Sequence, residues 1–101
     1  MFVERNVFSL KFGQARPAIN LWKEYLEKAH REDNSIHVRM LTDLSGPGYT
    51  LIIEQIFNTY AELEPSKCAL VNRGDWKEFY EKFIPYCERS ERTLYKLQAA
   101  Y

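Results

Sequence analysis

Between Ile36 and Phe57, two apolar-rich runs flank Ser45-Gly46-Pro47-Gly48, a cluster that offers a fixed φ at proline and positive φ at glycine. This pattern predicts an antiparallel hairpin. With those four residues as the loop, Leu44 faces Tyr49, and the ladder runs on through Thr42–Leu51, Met40–Ile53, Val38–Gln55 and Ile36–Phe57. The opposite face carries Asp43–Thr50, Leu41–Ile52, Arg39–Glu54 and His37–Ile56. The Arg39–Glu54 pair supports this register, because opposite charges directly across a ladder attract. A slip of one residue would turn every side chain to the wrong face.

Upstream, Phe2 to Phe12 reads as a strand. Its alternate sets, Val3-Arg5-Val7-Ser9 and Glu4-Asn6-Phe8-Leu10-Phe12, are both mixed, which predicts cover on both faces. Gly13 and Gln14 end it, and Pro17 falls in the first turn of a helix over 16–32. Ala18, Leu21, Trp22, Tyr25, Leu26 and Ala29 recur there at helical spacing, with Lys23, Glu24, Glu27 and Lys28 opposite. Glu24 and Lys28 are spaced for an i,i+4 ion pair.

Past the hairpin, Thr59-Tyr60-Ala61-Glu62 has capping-box spacing and Pro65 marks a kink or a second start. A short helix through Leu63, Cys68, Ala69, Leu70 and Val71 is expected to stop at Asn72-Arg73-Gly74. Asp75-Trp76-Lys77-Glu78 repeats the cap spacing. It opens a helix with Trp76, Phe79, Tyr80, Phe83 and Tyr86 or Cys87 on one side, bent or shortened by Pro85. Thr93 to Ala100 alternates as a short closing strand.

The order β-α-β-β-α-β is satisfied by the ferredoxin-like α+β layout, a four-stranded antiparallel sheet with both helices on one face. The helices are expected over Val3, Val7, Ile36, Val38, Met40, Leu51, Ile53 and Phe57. The second face then holds Phe8, Leu10, Leu41, Ile52 and Ile56, interrupted by Glu4, Asn6, His37, Arg39 and Glu54. That much apolar surface needs cover, and sheet-to-sheet association of two copies is the simplest cover. A homodimer is therefore expected.

Composition narrows the class. The 101 residues suffice for one domain, 1–101, with a single core. Fourteen basic and fourteen acidic side chains cancel, which argues against a nucleic-acid or membrane-surface partner. RNA-recognition modules share the element order but need a basic lead-in to stacking aromatics, and here Pro47 leads into Gly48-Tyr49. No apolar run is long enough to span a bilayer and no signal-peptide pattern opens the chain, so a cytoplasmic location is expected. Cys68 and Cys87 fit no metal-ligand spacing and read as free thiols of a reducing compartment. No nucleophile motif, phosphate-cradling glycine loop or metal cluster is present, and no cofactor or metal is expected. Glu62 and Glu64 lie at a helix start, where they complement the dipole.

Three groups of residues are candidates for chemistry. His37, with Arg39 and Glu54 on the same strand face, could take a proton from an enol-type substrate, or could be a histidine hydrogen-bonded in a wet interface. Arg39–Glu54 could hold a polar or anionic substrate with Asn6 beside it, or could be a structural pair. Trp22, Tyr25, Tyr49 and Trp76 could line an aromatic ligand pocket between helices and sheet, or could be core.

The strand Val3-Glu4-Arg5-Asn6-Val7-Phe8-Ser9-Leu10-Lys11-Phe12-Gly13 resembles the opening of NIPSNAP-type members of the dimeric α+β barrel superfamily (ABM-like). Phe57-Asn58-Thr59-Tyr60-Ala61-Glu62-Leu63 followed by Asp75-Trp76-Lys77-Glu78-Phe79 is similar to their post-hairpin segment. Arg89-Ser90-Glu91-Arg92-Thr93-Leu94-Tyr95 is similar to their lead into the last strand. Asn6 and Phe12 depart from that pattern, standing where an arginine and a proline are common. The resemblance implies a dimeric α+β barrel holding a small organic ligand in its barrel or in a helix–sheet pocket. The alternative it implies is a cofactor-independent monooxygenase or isomerase acting on an aromatic or enolisable substrate.

Overall fold

The computed structural model describes residues 1–101. The hairpin forms in the expected register: β2 (Val38–Thr42) pairs antiparallel with β3 (Thr50–Phe57), Arg39 opposite Glu54 and Thr42 opposite Leu51. Asp43 closes its loop by accepting the backbone N–H groups of Gly48 at 2.6 Å and Thr50 at 3.3 Å. Gly46 and Gly48 have φ of +137° and +80°, which a Cβ would oppose.

β1 (Phe2–Leu10) lies inside the sheet, flanked by β3 and by β4 (Cys87–Lys96), all antiparallel. The strand order is β2-β3-β1-β4. α1 (Ala15–Glu32) buries Ala18, Trp22, Tyr25 and Ala29, one stripe at helical spacing, against the sheet. α2 (Trp76–Phe83) buries Phe79 and Phe83 on the same side. The core is thus one layer deep, with Phe8, Leu51 and Ile53 of the sheet facing Trp22 and Phe83. The architecture is the ferredoxin-like α+β sheet with helices on one face.

The faces of β1 are the reverse of those expected. Phe8 and Leu10 are buried under the helices, while Val3, Arg5 and Val7 share the uncovered face with Ile56, Glu54 and Ile52. Two forces favour this turn. The Phe8 ring packs on Trp22 and Phe83 at 6.0 and 4.9 Å, filling a gap that a valine would leave open. The other turn would also bring Glu4 rather than Arg5 to Glu54.

Other boundaries move for local reasons. The last strand spans Cys87–Lys96 rather than 93–100, because it pairs with β1 along its length. Just past its end, Leu97 N–H donates to the Met1 carbonyl at 3.0 Å. In place of the helix through 63–71 there are two 3₁₀ turns, Tyr60–Leu63 and Pro65–Lys67, since Pro65 brings no N–H to continue a helix. Pro85 likewise converts the end of α2 into the 3₁₀ turn Ile84–Tyr86. Neither Thr59 nor Asp75 caps with its side chain. Glu62 instead accepts the Asn58 N–H at 3.0 Å, and the Asp75 carboxylate turns toward α1. There Lys28 meets Asp75 at 3.3 Å in place of the expected Glu24.

Candidate functional site

Glu54 sits on the uncovered sheet face with 1% of its side chain exposed. Arg39 donates to Oε1 through Nε at 3.1 Å and Nη2 at 2.5 Å, and Arg5 donates to Oε2 through Nε at 2.7 Å. The Arg39 hydrogen bonds outweigh burial and, with Arg5, hold the Glu54 carboxyl below the ordinary glutamate range. Both of its oxygens are engaged. His37 precedes β2 at the sheet edge and is exposed, its ring 6.5 Å from that of His30. Arg39 and Arg5 bind Glu54, and none of these bonds reaches His37. His37 lines one cavity of about 250 Å³ with Ser35, Phe57 and Lys67, and shares another of about 300 Å³ with His30, Arg39 and Ile56 but not with Glu54. Asn6 points to the helix side, so it is not beside Arg39–Glu54; Arg5 occupies that place.

The helix side brings together three of the residues singled out in the sequence. Asn6, Trp22 and Trp76 line one cavity of about 240 Å³. Asn6, Phe8, Ile53 and Gln55 form the sheet wall, and Trp22 of α1 with Trp76 and Tyr80 of α2 form the helix wall. Leu70 and Val71 close it from the preceding loop, while Glu4 and Arg92 stand on its β4 side.

The wall polar groups are mostly engaged. The Asn6 amide donates to Glu4 at 3.0 Å, and Gln55 Oε1 accepts the Cys68 thiol at 3.4 Å. Burial, and secondarily Cys87, pushes the Tyr80 phenol up, so it is a neutral donor at ordinary pH. Trp22 is the exception. Its indole Nε1 is buried with no hydrogen-bond partner, in a residue that is 2% exposed. A buried N–H without an acceptor forfeits about 1–3 kcal/mol of solvation.

Tyr25 and Tyr49 do not join this cavity. Tyr25 stacks on Phe79 between the helices, ring centroids 3.9 Å apart, and its hydroxyl donates to Asp75 at 2.7 Å. Tyr49 lies in the hairpin loop against Phe12 at 5.3 Å. Sequence reasoning missed Tyr80 and Arg92. Tyr80 follows Trp76 by one helical turn and was legible as a wall residue. Arg92 was not, since it faces Asn6 only once β4 starts at Cys87.

No protein-family model matches the sequence, and no curated protein matches it. Solved structures do. A NIPSNAP domain protein from Burkholderia xenovorans superposes with TM-score 0.80 at 17% identity, over 98% of this chain and 96% of that one. The chain has the NIPSNAP/ABM-like fold. A NIPSNAP family protein from Agrobacterium tumefaciens gives 0.77 at 15% identity, over 94% and 90%. A structure described as an antibiotic biosynthesis monooxygenase gives 0.73 at 14% identity, over 98% and 100%. The chain has no helix long and apolar enough to cross a membrane. No group of three His, Cys, Asp or Glu side chains is arranged to hold a metal ion.

Proposed function

We propose that this NIPSNAP-like protein binds a small, flat organic molecule in the cavity between α1, α2 and the sheet. The observation that carries this reading is the cavity itself, where the rings of Phe8, Trp22, Trp76 and Tyr80 meet the polar ends of Asn6 and Arg92. An aromatic ligand would stack on Trp76 or Tyr80 and turn its polar edge to the Asn6 amide. Arg92 stands in none of the ion pairs of the structure and supplies positive charge at the cavity's edge for a carboxylate or phenolate.

The test is NMR of the two indole N–H groups during titration with naphthoates, hydroxyquinones and phenols. Binding in the cavity moves the Trp22 resonance, and Arg92→Ala weakens anionic members of the panel about tenfold, the size of one charge-assisted hydrogen bond. A panel that leaves both indole resonances in place overturns the reading.

A second reading, of an enzyme, is favoured by the donors at this cavity. The Asn6 amide, Tyr80 phenol and Arg92 guanidinium can hold an enolate oxygen, and Glu4 is the carboxylate on the wall. In a cofactor-independent monooxygenation, a CH₂ activated by a carbonyl gives its electrons to O₂. One oxygen atom stays on carbon as a new carbonyl and the other leaves as water. Oxygen uptake with an enolisable phenol that Glu4→Gln abolishes, with binding intact, is the outcome this reading requires.

The proposal extends to the assembly. The uncovered sheet face leaves Leu41, Val3, Val7, Ile52 and Ile56 in part accessible around the Arg5–Glu54–Arg39 cluster, and a second copy packed on it sheet to sheet is the occupant we infer.

A further inference from the structure

The roof of the cavity packs on α1 through Trp76 and Phe79 against Trp22 and Tyr25, and one polar cluster ties the two together. Asp75 immediately precedes Trp76, and its carboxylate accepts from the Tyr25 hydroxyl at 2.7 Å and from Arg73 Nε and Nη2, both at 3.1 Å. Lys28 of α1 adds an ion pair at 3.3 Å. Arg73 in turn bonds Glu32 at the end of α1 and lies over the Tyr25 ring. The backbone continues the same tie, because Trp76 N–H donates to the Arg73 carbonyl and Phe79 N–H to the Asp75 carbonyl.

The helical segments on either side of this cluster are short. α2 has eight residues and no side-chain cap, and the segment before it has only two 3₁₀ turns. A helix of that length has little stability of its own. Yet Leu70, Val71, Trp76 and Tyr80 from these segments form one side of the cavity. Resting on the reading of that cavity as a ligand site, we propose that Asp75 is its positioning residue. By tying the start of α2 to Tyr25 and Lys28, it holds Trp76 at ligand-stacking distance from the sheet wall without touching the ligand. The Asp75 carboxylate turns to α1 rather than capping its own helix, and this diversion is what a positioning role requires.

The experiment compares wild type with Asp75→Asn and Tyr25→Phe. Asn can still accept from Tyr25 but loses the charge that holds Arg73 and Lys28. The expected result in ligand-free Asp75→Asn is a Trp76 indole resonance that broadens or splits while that of Trp22 stays sharp. With 1-naphthoate as the probe, Kd rises about tenfold, chiefly through faster dissociation. Asp75→Glu restores part of the loss. If Asp75→Asn fails to fold, Tyr25→Phe, which removes a single hydrogen bond, decides by the same two readouts. Unchanged Trp76 resonance and probe affinity in the folded variants overturn the inference, and so does uniform broadening across the core, which marks a general stabilising role. A Trp76 resonance that responds in a protein whose wild type binds no probe supports the tie and counts against the ligand reading alone.

Discussion

Glu54 and Tyr25 are buried ionisable groups whose partners push their titrations in opposite directions. Glu54 titrates below its unfolded value of about 4.3, so its contribution is complete above that pH and is lost as pH falls through the folded value. Asp75, held well below the usual carboxylate range first by Arg73 and then by Tyr25, acts in the same window and with the same sign. The expected outcome is a denaturation midpoint that falls on acidification below about pH 5. Glu54→Gln makes that loss shallower and costs about 2 kcal/mol at neutral pH, a figure kept low because Arg5 and Arg39 stay half in water. Tyr25 works at the other end. Burial, and then its bond to Asp75, pushes the phenol up to about 12, so its contribution is complete below about pH 10 and is lost as pH rises toward the folded value. In an ultraviolet titration one of the seven tyrosines should ionise last, and Tyr25→Phe should remove that step.

At the scale of elements, the hairpin shows what local chemistry settles. Two glycines, a proline and an opposed charge pair define loop and register together, and the structure adds Asp43 as the acceptor that closes the loop. The two glycines are not equivalent. A Cβ on Gly46 would meet the Asp43 carboxylate at 3.3 Å at φ +137°, whereas one on Gly48 meets nothing within 4 Å at φ +80°. Gly46→Ala should therefore cost about 2 kcal/mol and Gly48→Ala about 1, read as shifts of the denaturant midpoint. β1 shows where such reasoning stops. Both of its alternate sets mix apolar and charged residues, so periodicity alone is silent on which face goes in. The deciding facts are nonlocal: Phe8 meets Phe83 across 75 residues of chain, and Arg5 meets Glu54. The charge of Arg5, set against Glu54, was the one signal in the sequence that pointed the right way.

The whole molecule measures 37 × 33 × 21 Å, the thickness of one sheet and one helix layer. Only 16 of 101 residues are buried, and none of Val3, Val7, Leu41, Ile52 and Ile56 on the second sheet face is among them. If a second copy supplies it, light scattering gives twice the 12.0 kDa chain mass, and Ile52→Asp, central on that face, shifts the protein to monomer with its helix-side core intact. A wild type that stays monomeric at every concentration removes the sheet-to-sheet arrangement.

The sequence by itself determined the element order, the hairpin register, the two amphipathic helices and hence the fold, because each rests on spacings within about a dozen residues. It also marked Asn6, Trp22 and Trp76, whose ring size and polarity were legible without coordinates. The tertiary structure alone decided which face of β1 turns inward, and with it that Asn6 belongs with the tryptophans rather than with Arg39 and Glu54. It also carried the Asp75 carboxylate from its own helix to α1 and brought Arg92 opposite Asn6. Those outcomes depend on packing volume and charge between segments distant in the chain, which no local periodicity encodes.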